Sequence, residues 1–182
     1  LGQSFTLAGL SAVSGVPLDR LEPRVRDLVR RELFVLDADP RSPERGQFAF
    51  VQALIREVAY GTLAREERKT RHLAAARFFE ALGSDELAGA LAGQYLAAYR
   101  SATPGPEADA LGTQARLALK AAADRAAGLG AHGQAITLLD QTMQVTADPA
   151  ERTQLQLAAA ANAESAGTWP DAERRFGEAL EQ

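Results

Sequence analysis

The chain has 182 residues, of which 46% are hydrophobic, and a formal net charge of −4. It can therefore bury a core, but it lacks the excess of positive charge expected of a general nucleic-acid binder. It contains no cysteine, which excludes a disulfide framework and a thiolate metal site and is consistent with a cytoplasmic protein. No apolar run approaches the roughly 20 residues that cross a bilayer, so we expect no membrane partner.

The first part of the chain predicts a small domain with two helices and one hairpin. Residues 4–13 have a short helical pattern, and a second helical pattern runs over residues 18–32. Two runs rich in β-forming residues, 33–37 and 47–51, lie on either side of a loop that contains prolines and a glycine. Two helices, a hairpin and a further helix are the elements of a winged helix-turn-helix.

The stretch 47–63 changes from a strand pattern to a helical pattern with no proline or glycine between the two. Leu54, Ile55 and Val58 share one face of the predicted helix. We expect this helix to join the small domain to the helices that follow it. Under that hypothesis Leu54 is buried, and Leu54→Ala costs about 2–5 kcal/mol.

The rest of the chain predicts helices in pairs. Residues 64–82 and 85–100 form two linking helices that are a possible divergent repeat, and 101–106 reads SATPGP, the composition of a linker. In the alanine-rich residues 107–182, alignment of Gly130 with Gly167 pairs alanines with alanines and large residues with large residues. This internal repeat resembles the tetratricopeptide repeat, a helical hairpin with a usual period of 34 residues.

Two segments carry a second resemblance. Residues 48–60 read FAFVQALIREVAY and are followed by the basic segment 65–72, REERKTRH. This order resembles a motif of bacterial signalling ATPases, and the upstream segments GQSFTLAGLSAVSG and LVRRELFVLDADPRSPERGQFAF add to the match. The chain is most similar to the region after the P-loop ATPase domain of multidomain class III adenylate/guanylate cyclases, and more distantly to large LuxR-type regulators.

The resemblance implies a mainly α fold in which a winged-helix-like domain with a small β-hairpin precedes antiparallel helical hairpins of an α-solenoid. The domains would be a winged-helix-like domain at 1–63, linking helices at 64–100, a linker at 101–106 and repeats at 107–182, cut short at the C-terminus. We expect a fragment of a longer protein, with a non-catalytic regulatory role and a parent that is the enzyme. The alternative is a fragment of a transcription regulator that binds DNA through the winged helix.

No catalytic residues emerge from the sequence. It has no GxxxxGK[ST] phosphate loop and no paired aspartates in a strand context, so we expect no cofactor and no metal. Many relatives carry a histidine where this chain has Gln52, and the resemblance implies that Gln52 lies near a bound nucleotide, where its amide can bond a phosphate oxygen. The expected partners are a protein or the neighbouring domains of the same chain.

The repeats suggest a peptide-binding surface. In tetratricopeptide arrays, the first helix of each repeat lines the concave groove. Alignment of the turn glycines places four polar residues on that face: Lys120, Asp124, Gln154 and Glu164. The competing interpretation is that two repeats are too few to bind a peptide and that this face is only a scaffold surface.

Other polar and aromatic residues favour structural roles. The helix at 18–32 has five arginines but also four acidic residues, among them Asp27, which is spaced to pair with Arg31. We therefore expect no nucleic-acid partner. The basic cluster at 65–72 predicts a solvated helix or a contact with the ATPase domain. His72 and His132 lack ligand partners at metal spacing, and Trp169 is expected to pack between the helices of its hairpin.

Overall fold

The computed structural model describes residues 2, 4–39, 42 and 45–180. Within these residues the chain is mainly helical, with one small antiparallel sheet of three strands. The mainly α fold class with a small hairpin, predicted from the sequence, is confirmed. Four residues of the predicted hairpin loop at 38–46, namely 40, 41, 43 and 44, lie outside the described residues.

The N-terminal unit consists of two helices against the sheet. Its elements are β1 (Ser4–Phe5), α1 (Leu7–Ser14), α2 (Leu18–Arg30), β2 (Phe34–Leu36) and β3 (Phe48–Phe50). The central strand is β3, which pairs with β2 as the predicted hairpin and with β1 on its other side. The hydroxyl of Thr6 begins α1 by accepting a hydrogen bond of 3.0 Å from the Gly9 amide, as expected of a helix N-cap.

Four phenylalanines and a valine fill the space between the sheet and the helices. The rings of Phe5 and Phe34 meet edge to face with centroids 5.2 Å apart, and those of Phe34 and Phe50 do so at 4.8 Å. Phe48 and Val25 complete this buried cluster. Such aromatic pairs add about 0.5–1.5 kcal/mol each beyond the burial of their area, which helps a unit with a small core.

A series of helices follows. Their bounds are α3 (Ala53–Gly61), α4 (Arg65–Leu82), α5 (Ala88–Ser101), α6 (Pro106–Gly128), α7 (His132–Met143), α8 (Pro149–Ser165) and α9 (Trp169–Leu180), with a short 3₁₀ turn (Asp85–Leu87) before α5. From α4 onward, each helix packs chiefly on its neighbours in the chain. The pairs α4–α5, α6–α7 and α8–α9 are therefore helical hairpins.

Each hairpin turns at a glycine. Gly83, Gly130 and Gly167 follow the first helices of the three hairpins, with φ of 61°, 75° and 73°. This left-handed conformation costs residues with a Cβ atom about 1–2 kcal/mol but costs glycine almost nothing. The turn glycines that the repeat alignment paired therefore have the same structural role, and α4 ends in the same way.

The helical core is built mainly from alanine and leucine, and aligned positions of the two repeats share their burial. Both members are buried in four aligned pairs: Ala123 with Ala160, Ala126 with Ala163, Ala135 with Ala172, and Thr142 with Ala179. The aligned pair Leu139 and Phe176 differs, because Leu139 is 3% exposed and Phe176 is 37% exposed.

Trp169 is also exposed, so the prediction that it packs between the helices of its hairpin is wrong. Its helix, α9, is the last described element and leaves that side uncovered.

Ion pairs connect alternate helices. They join α4 to α6, α6 to α8, and α7 to α9 through the pairs Lys69–Glu107, Arg116–Glu151 and Asp140–Arg175. The pairing of alternate helices arranges the stack in two layers, α4, α6 and α8 in one and α5, α7 and α9 in the other. Because the partners are far apart in sequence, these ion pairs fix the register between one hairpin and the next.

Two cations of the basic cluster of α4 have internal partners, so its interpretation as a solvated face is wrong for the buried Lys69, while its contact with the ATPase domain stays a prediction. Lys69 is buried between Glu66 and Glu107, each 2.8 Å from its Nζ. The Arg65 guanidinium donates to backbone carbonyls at the end of α5, including that of Ala102 at 2.8 Å. Cations are favourable at these unpaired carbonyls.

The joint between the two parts is not where the sequence placed it. Leu54 and Val58 of α3 are 64% and 62% exposed, so the prediction of a buried Leu54 is wrong. The contact between the two parts is made by α1 against α4, where Arg71 donates a 2.8 Å hydrogen bond to the carbonyl of Val13. Helical periodicity identified the apolar face of α3 correctly but carried no information on what covers it.

Candidate interaction surfaces

The four polar residues predicted to line a peptide groove are all exposed. Lys120 and Asp124 lie one turn apart on α6, while Gln154 and Glu164 lie on α8. These are the first helices of two consecutive hairpins, joined by the Arg116–Glu151 ion pair. None of the four side chains has a hydrogen-bond or ion-pair partner within the described part of the chain, so their polar groups are open to a ligand.

Two leucines share this face and were missed by the sequence reasoning. Leu117 of α6 is 60% exposed and Leu157 of α8 is 41% exposed. The repeat alignment pairs Leu117 with Gln154 and Lys120 with Leu157, so each helix contributes a leucine where the other has a polar residue. The same alignment could have identified both leucines. We call these leucines, with Lys120, Asp124, Gln154 and Glu164, the α6/α8 face.

Gln52 stands at the junction of β3 and α3. It occupies the N-cap position of α3 with extended backbone, but its side chain makes no capping hydrogen bond. The residue is exposed. Its amide is therefore free to bond a group presented from outside.

An apolar stripe runs along α3 beside Gln52. Leu54 and Val58 are four residues apart, which places them on one side of the helix, and Val51 comes directly before the N-cap residue Gln52. All three are exposed, at 49%, 64% and 62%. We call them the α3 stripe. Scattered apolar residues on a surface are ordinary, but residues that lie next to one another form a patch that a neighbour can cover.

The far end of α3 is tied to the hairpins by a chain of hydrogen bonds. Tyr60 Oη lies 2.9 Å from His72 Nε2, and His72 Nδ1 lies 2.8 Å from Gln94 Oε1. Because the amide oxygen accepts, Nδ1 donates, and the neutral ring accepts from Tyr60 at Nε2. Burial lowers the pKa of His72, which favours this neutral form. Arg68 lies 4.7 Å from the Tyr60 ring centroid, so α3, α4 and α5 form one connected unit.

A polar cavity between α7, α8 and α9 has a structural role. It has a volume of about 420 Å³, and its lining includes Asp140, Arg152, Gln156, Arg175 and Glu178. Arg175 is buried and donates two hydrogen bonds to the Asp140 carboxylate, at 2.7 and 2.9 Å. Arg175 also pairs with Asp171 and, with Arg174, lowers the pKa of that carboxyl group. These charges neutralise one another and leave no excess for a ligand.

Three of the five arginines in residues 18–32 pair with carboxylates of the same segment. Arg31 lies 2.7 Å from Asp27, as the spacing predicted, and Arg30 lies 3.1 Å from the same carboxylate. Arg26 pairs with Glu22 at 2.5 Å. The hydrogen bond from Arg30, together with the charge of Arg31, lowers the pKa of Asp27. A helix with this mixture of signs has no patch of single charge for DNA phosphates.

Within residues 2, 4–39, 42 and 45–180, no group of three or more His, Asp or Glu side chains could hold a metal ion. None of the described helices has the length and apolar character that crossing a membrane requires. His132 lies in a helix contact, with Nδ1 2.9 Å from Asn162 Oδ1.

Comparison with known proteins adds no relative. The chain matches no family model, no curated protein and no solved structure. Its resemblance to the region after the ATPase domain of class III cyclases therefore stays a prediction, and the proposed function rests on the surfaces of this chain.

Proposed function

We propose that this chain is a non-catalytic protein-interaction region of a larger bacterial cyclase–ATPase signalling protein of the cytoplasm. Its N-terminal unit, a winged-helix-like domain, docks on the nucleotide-binding domain. Its hairpins, a tetratricopeptide-like array, bind a protein partner. The observation that carries the proposal is the exposed α3 stripe, which lies directly beside the free amide of Gln52.

Docking through the α3 stripe has a clear physical basis. Covering a leucine or valine side chain stabilises a complex by about 1.5–3 kcal/mol when the side chain passes from full exposure to burial. Leu54 and Val58 begin with nearly two thirds of their area exposed, so both contribute. Gln52 stands two residues before Leu54, at the N-cap of α3, and supplies a neutral hydrogen-bonding group to a neighbour that covers the start of the helix.

The α6/α8 face supports the second binding role. It combines two exposed leucines with side chains of both charges, Lys120 and Asp124. At an interface, apolar contacts in the centre supply binding energy, and charged groups at the polar rim fix the orientation of the partner. The partner that fits it is a peptide or helix with apolar residues and charges of both signs.

The connection from α3 to α5 gives the two roles a route of coupling. A change in α3 moves Tyr60, whose hydroxyl bonds His72, and His72 in turn bonds Gln94 of α5. Docking at α3 and binding at the hairpins then alter each other's affinity by the same factor. If the repeats' partner left the nucleotide affinity of the whole signalling protein unchanged, the coupling would be refuted.

Docking is tested by calorimetry of this chain against the purified P-loop ATPase domain of the same protein, with ATP and with ADP. We expect Leu54→Gln to weaken binding about tenfold, which corresponds to about 1.4 kcal/mol. Leu82→Gln is the matched control, because Leu82 is also exposed, at 54%, but ends α4. Equal affinities of the wild type and Leu54→Gln would reject docking through the α3 stripe.

Two alternatives are tested on the isolated chain. A DNA-binding regulator would bind random duplex at low ionic strength and lose affinity as salt rises, whereas the paired charges of α2 predict no binding. A catalyst would turn over ATP or GTP, and we expect no turnover. A positive result in either assay would replace the proposed function.

A further inference from the structure

Helix α3 lies on the surface of the chain with little of it covered. It has nine residues, none of which is fully buried, and Ile55 alone among them is partly buried. A separate helix of this length is marginal in water, because its few hydrogen bonds do not offset the entropy lost on ordering the backbone. Its N-cap residue, Gln52, makes no capping hydrogen bond. The order of α3 therefore depends on the contacts at its C-terminal end.

One arginine of α4 holds that end. Arg68 donates hydrogen bonds of 3.0 Å to the carbonyls of Leu63 and Gly61, at the end of a helix, where carbonyl groups lack intrahelical partners. A positive charge is also favourable at this end of the helix dipole. The same guanidinium lies 4.7 Å from the centroid of the Tyr60 ring, which is a cation–π distance. A single side chain thus makes three contacts with the end of α3.

A second attachment lies one turn further along α4. The Tyr60 hydroxyl is 2.9 Å from His72 Nε2, and the other ring nitrogen of His72 bonds Gln94 of α5. Arg68 and His72 are four residues apart, so they lie on the same side of α4. Apart from these contacts, α3 packs chiefly on β3, its neighbour in the chain. We call the contacts of Arg68 and His72 with α3 the latch.

We infer that α3 is a movable arm, held to α4 by the latch, and that Arg68 sets the balance between a latched and an unlatched state. In the latched state α3 is helical and Tyr60 contacts both Arg68 and His72. In the unlatched state these contacts are broken and the last turn of α3 unwinds. Openings of this kind need little free energy where few apolar contacts are buried. No residue of α3 belongs to the apolar clusters of the described chain, so the arm opens without disturbing them.

The latch also controls binding at the α3 stripe, a consequence that rests on the proposed function. Leu54 and Val58 share one side of α3 only while the segment is helical. A partner that covers both residues binds the latched state, and its apparent affinity falls in proportion to the fraction of chains that are latched. Arg68 then regulates docking from the end of the helix.

Hydrogen–deuterium exchange followed by mass spectrometry tests the latch on the intact chain. Backbone amides of residues 53–63 should exchange faster than those of α4 and α6. Arg68→Gln should speed exchange in 53–63 about tenfold further, as expected for loss of a charge-assisted hydrogen bond, and should leave α2 and α6 unchanged. Arginine and glutamine have similar helix propensities, so α4 itself is not weakened. The chain is measured alone, so the outcome is separate from that of docking to the ATPase domain.

Two further variants define the contacts that matter. Arg77→Gln is the matched control, because Arg77 is an exposed arginine of the same helix and has no hydrogen-bond or ion-pair partner among the described residues. It should leave exchange in 53–63 within about twofold of the wild type. Tyr60→Phe keeps the ring beside Arg68 but removes the hydroxyl that bonds His72. It should speed exchange by about two- to fivefold, as expected for loss of one neutral hydrogen bond.

Any of three results would refute the latch. Amides of α3 that exchange as slowly as those of α4 in the wild type would show that α3 is not a movable arm. Equal acceleration by Arg68→Gln and Arg77→Gln would remove the special role of Arg68. Acceleration that spreads to α2 and α6 in Arg68→Gln would mean that Arg68 supports the whole fold, and not α3 in particular.

Discussion

Leu119→Ala should destabilise the chain strongly. Leu119 is fully buried in the middle of α6, within the cluster shared by α5, α6, α7 and α8. The substitution removes three carbon atoms, and at about 0.8 kcal/mol per buried methylene the lost transfer energy is about 2.4 kcal/mol. Alanines dominate the surrounding cluster, and they have no side-chain freedom to fill the space. The cavity cost therefore adds to the transfer term, and we expect a total of about 3–5 kcal/mol.

Leu54→Ala is the matched control. The chemical change is the same and also lies inside a helix, so intrinsic helix propensity changes equally in both variants. Because Leu54 is 64% exposed, its truncation leaves no closed cavity. We expect a change in the free energy of unfolding within about 0.5 kcal/mol.

Urea unfolding followed by far-UV circular dichroism measures both variants. The urea midpoint of Leu119→Ala should fall with little change in the slope m, while that of Leu54→Ala should stay near the wild-type value. Comparable losses in the two variants would refute the reasoning, because they would show that α3 is covered by the rest of the chain. A small loss for Leu119→Ala would mean that the helices can close around the missing atoms.

Further predictions concern the backbone and the titrating groups. Gly130→Ala should lower the free energy of unfolding by about 1–2 kcal/mol because of its φ of 75°, whereas Gly133→Ala, inside α7 with open space around the added methyl group, should raise it by up to about 1 kcal/mol. Acidification below pH 6.5 should lower the free energy of unfolding, because burial lowers the pKa of His72 in the folded chain and the unfolded chain then binds more protons. In His72→Gln, the free energy of unfolding should depend less steeply on pH in this range. Burial and the hydrogen bond to Glu80 raise the pKa of Tyr95 to about 12, so a late ionisation in an absorbance titration should disappear in Tyr95→Phe.

Each of these predictions has an outcome that contradicts it. Equal effects of the two glycine substitutions would mean that position 130 is not left-handed. If the free energy of unfolding of His72→Gln fell with pH below 6.5 as steeply as that of the wild type, the proton uptake would belong to another group. A late ionisation that persists in Tyr95→Phe would contradict its assignment to Tyr95.

Local patterns account for the parts of the fold that the sequence predicted. The hairpin of β2 and β3 follows from two β-forming runs around a loop, and the turns at Gly130 and Gly167 follow from the repeat alignment. The same alignment anticipates burial at paired alanines, because a repeated packing arrangement requires small residues at the same positions. By contrast, β1 has only two residues, too few to show a period, and its pairing with β3 is long-range.

Features that depend on distant residues could not be read from local patterns. Lys69 belongs to a run of basic residues in sequence, yet its buried position depends on Glu107, which lies on α6. Leu54 has the spacing of a core residue, but no described element covers it. The α6/α8 face was predicted only in part, because the alignment of the turn glycines identified its four polar residues but not the two leucines beside them.

The α3 stripe lies at one end of the helical stack. It adjoins α4 through Tyr60 and His72. From α4 onward each helix packs chiefly on its chain neighbours, so stabilisation passes from hairpin to hairpin and weakens with distance, as in other repeat arrays. A change at α3 therefore affects the hairpin of α4 and α5 first. It reaches α8 and α9 only if the middle hairpin, with Leu119 at its centre, unfolds together with both of its neighbours.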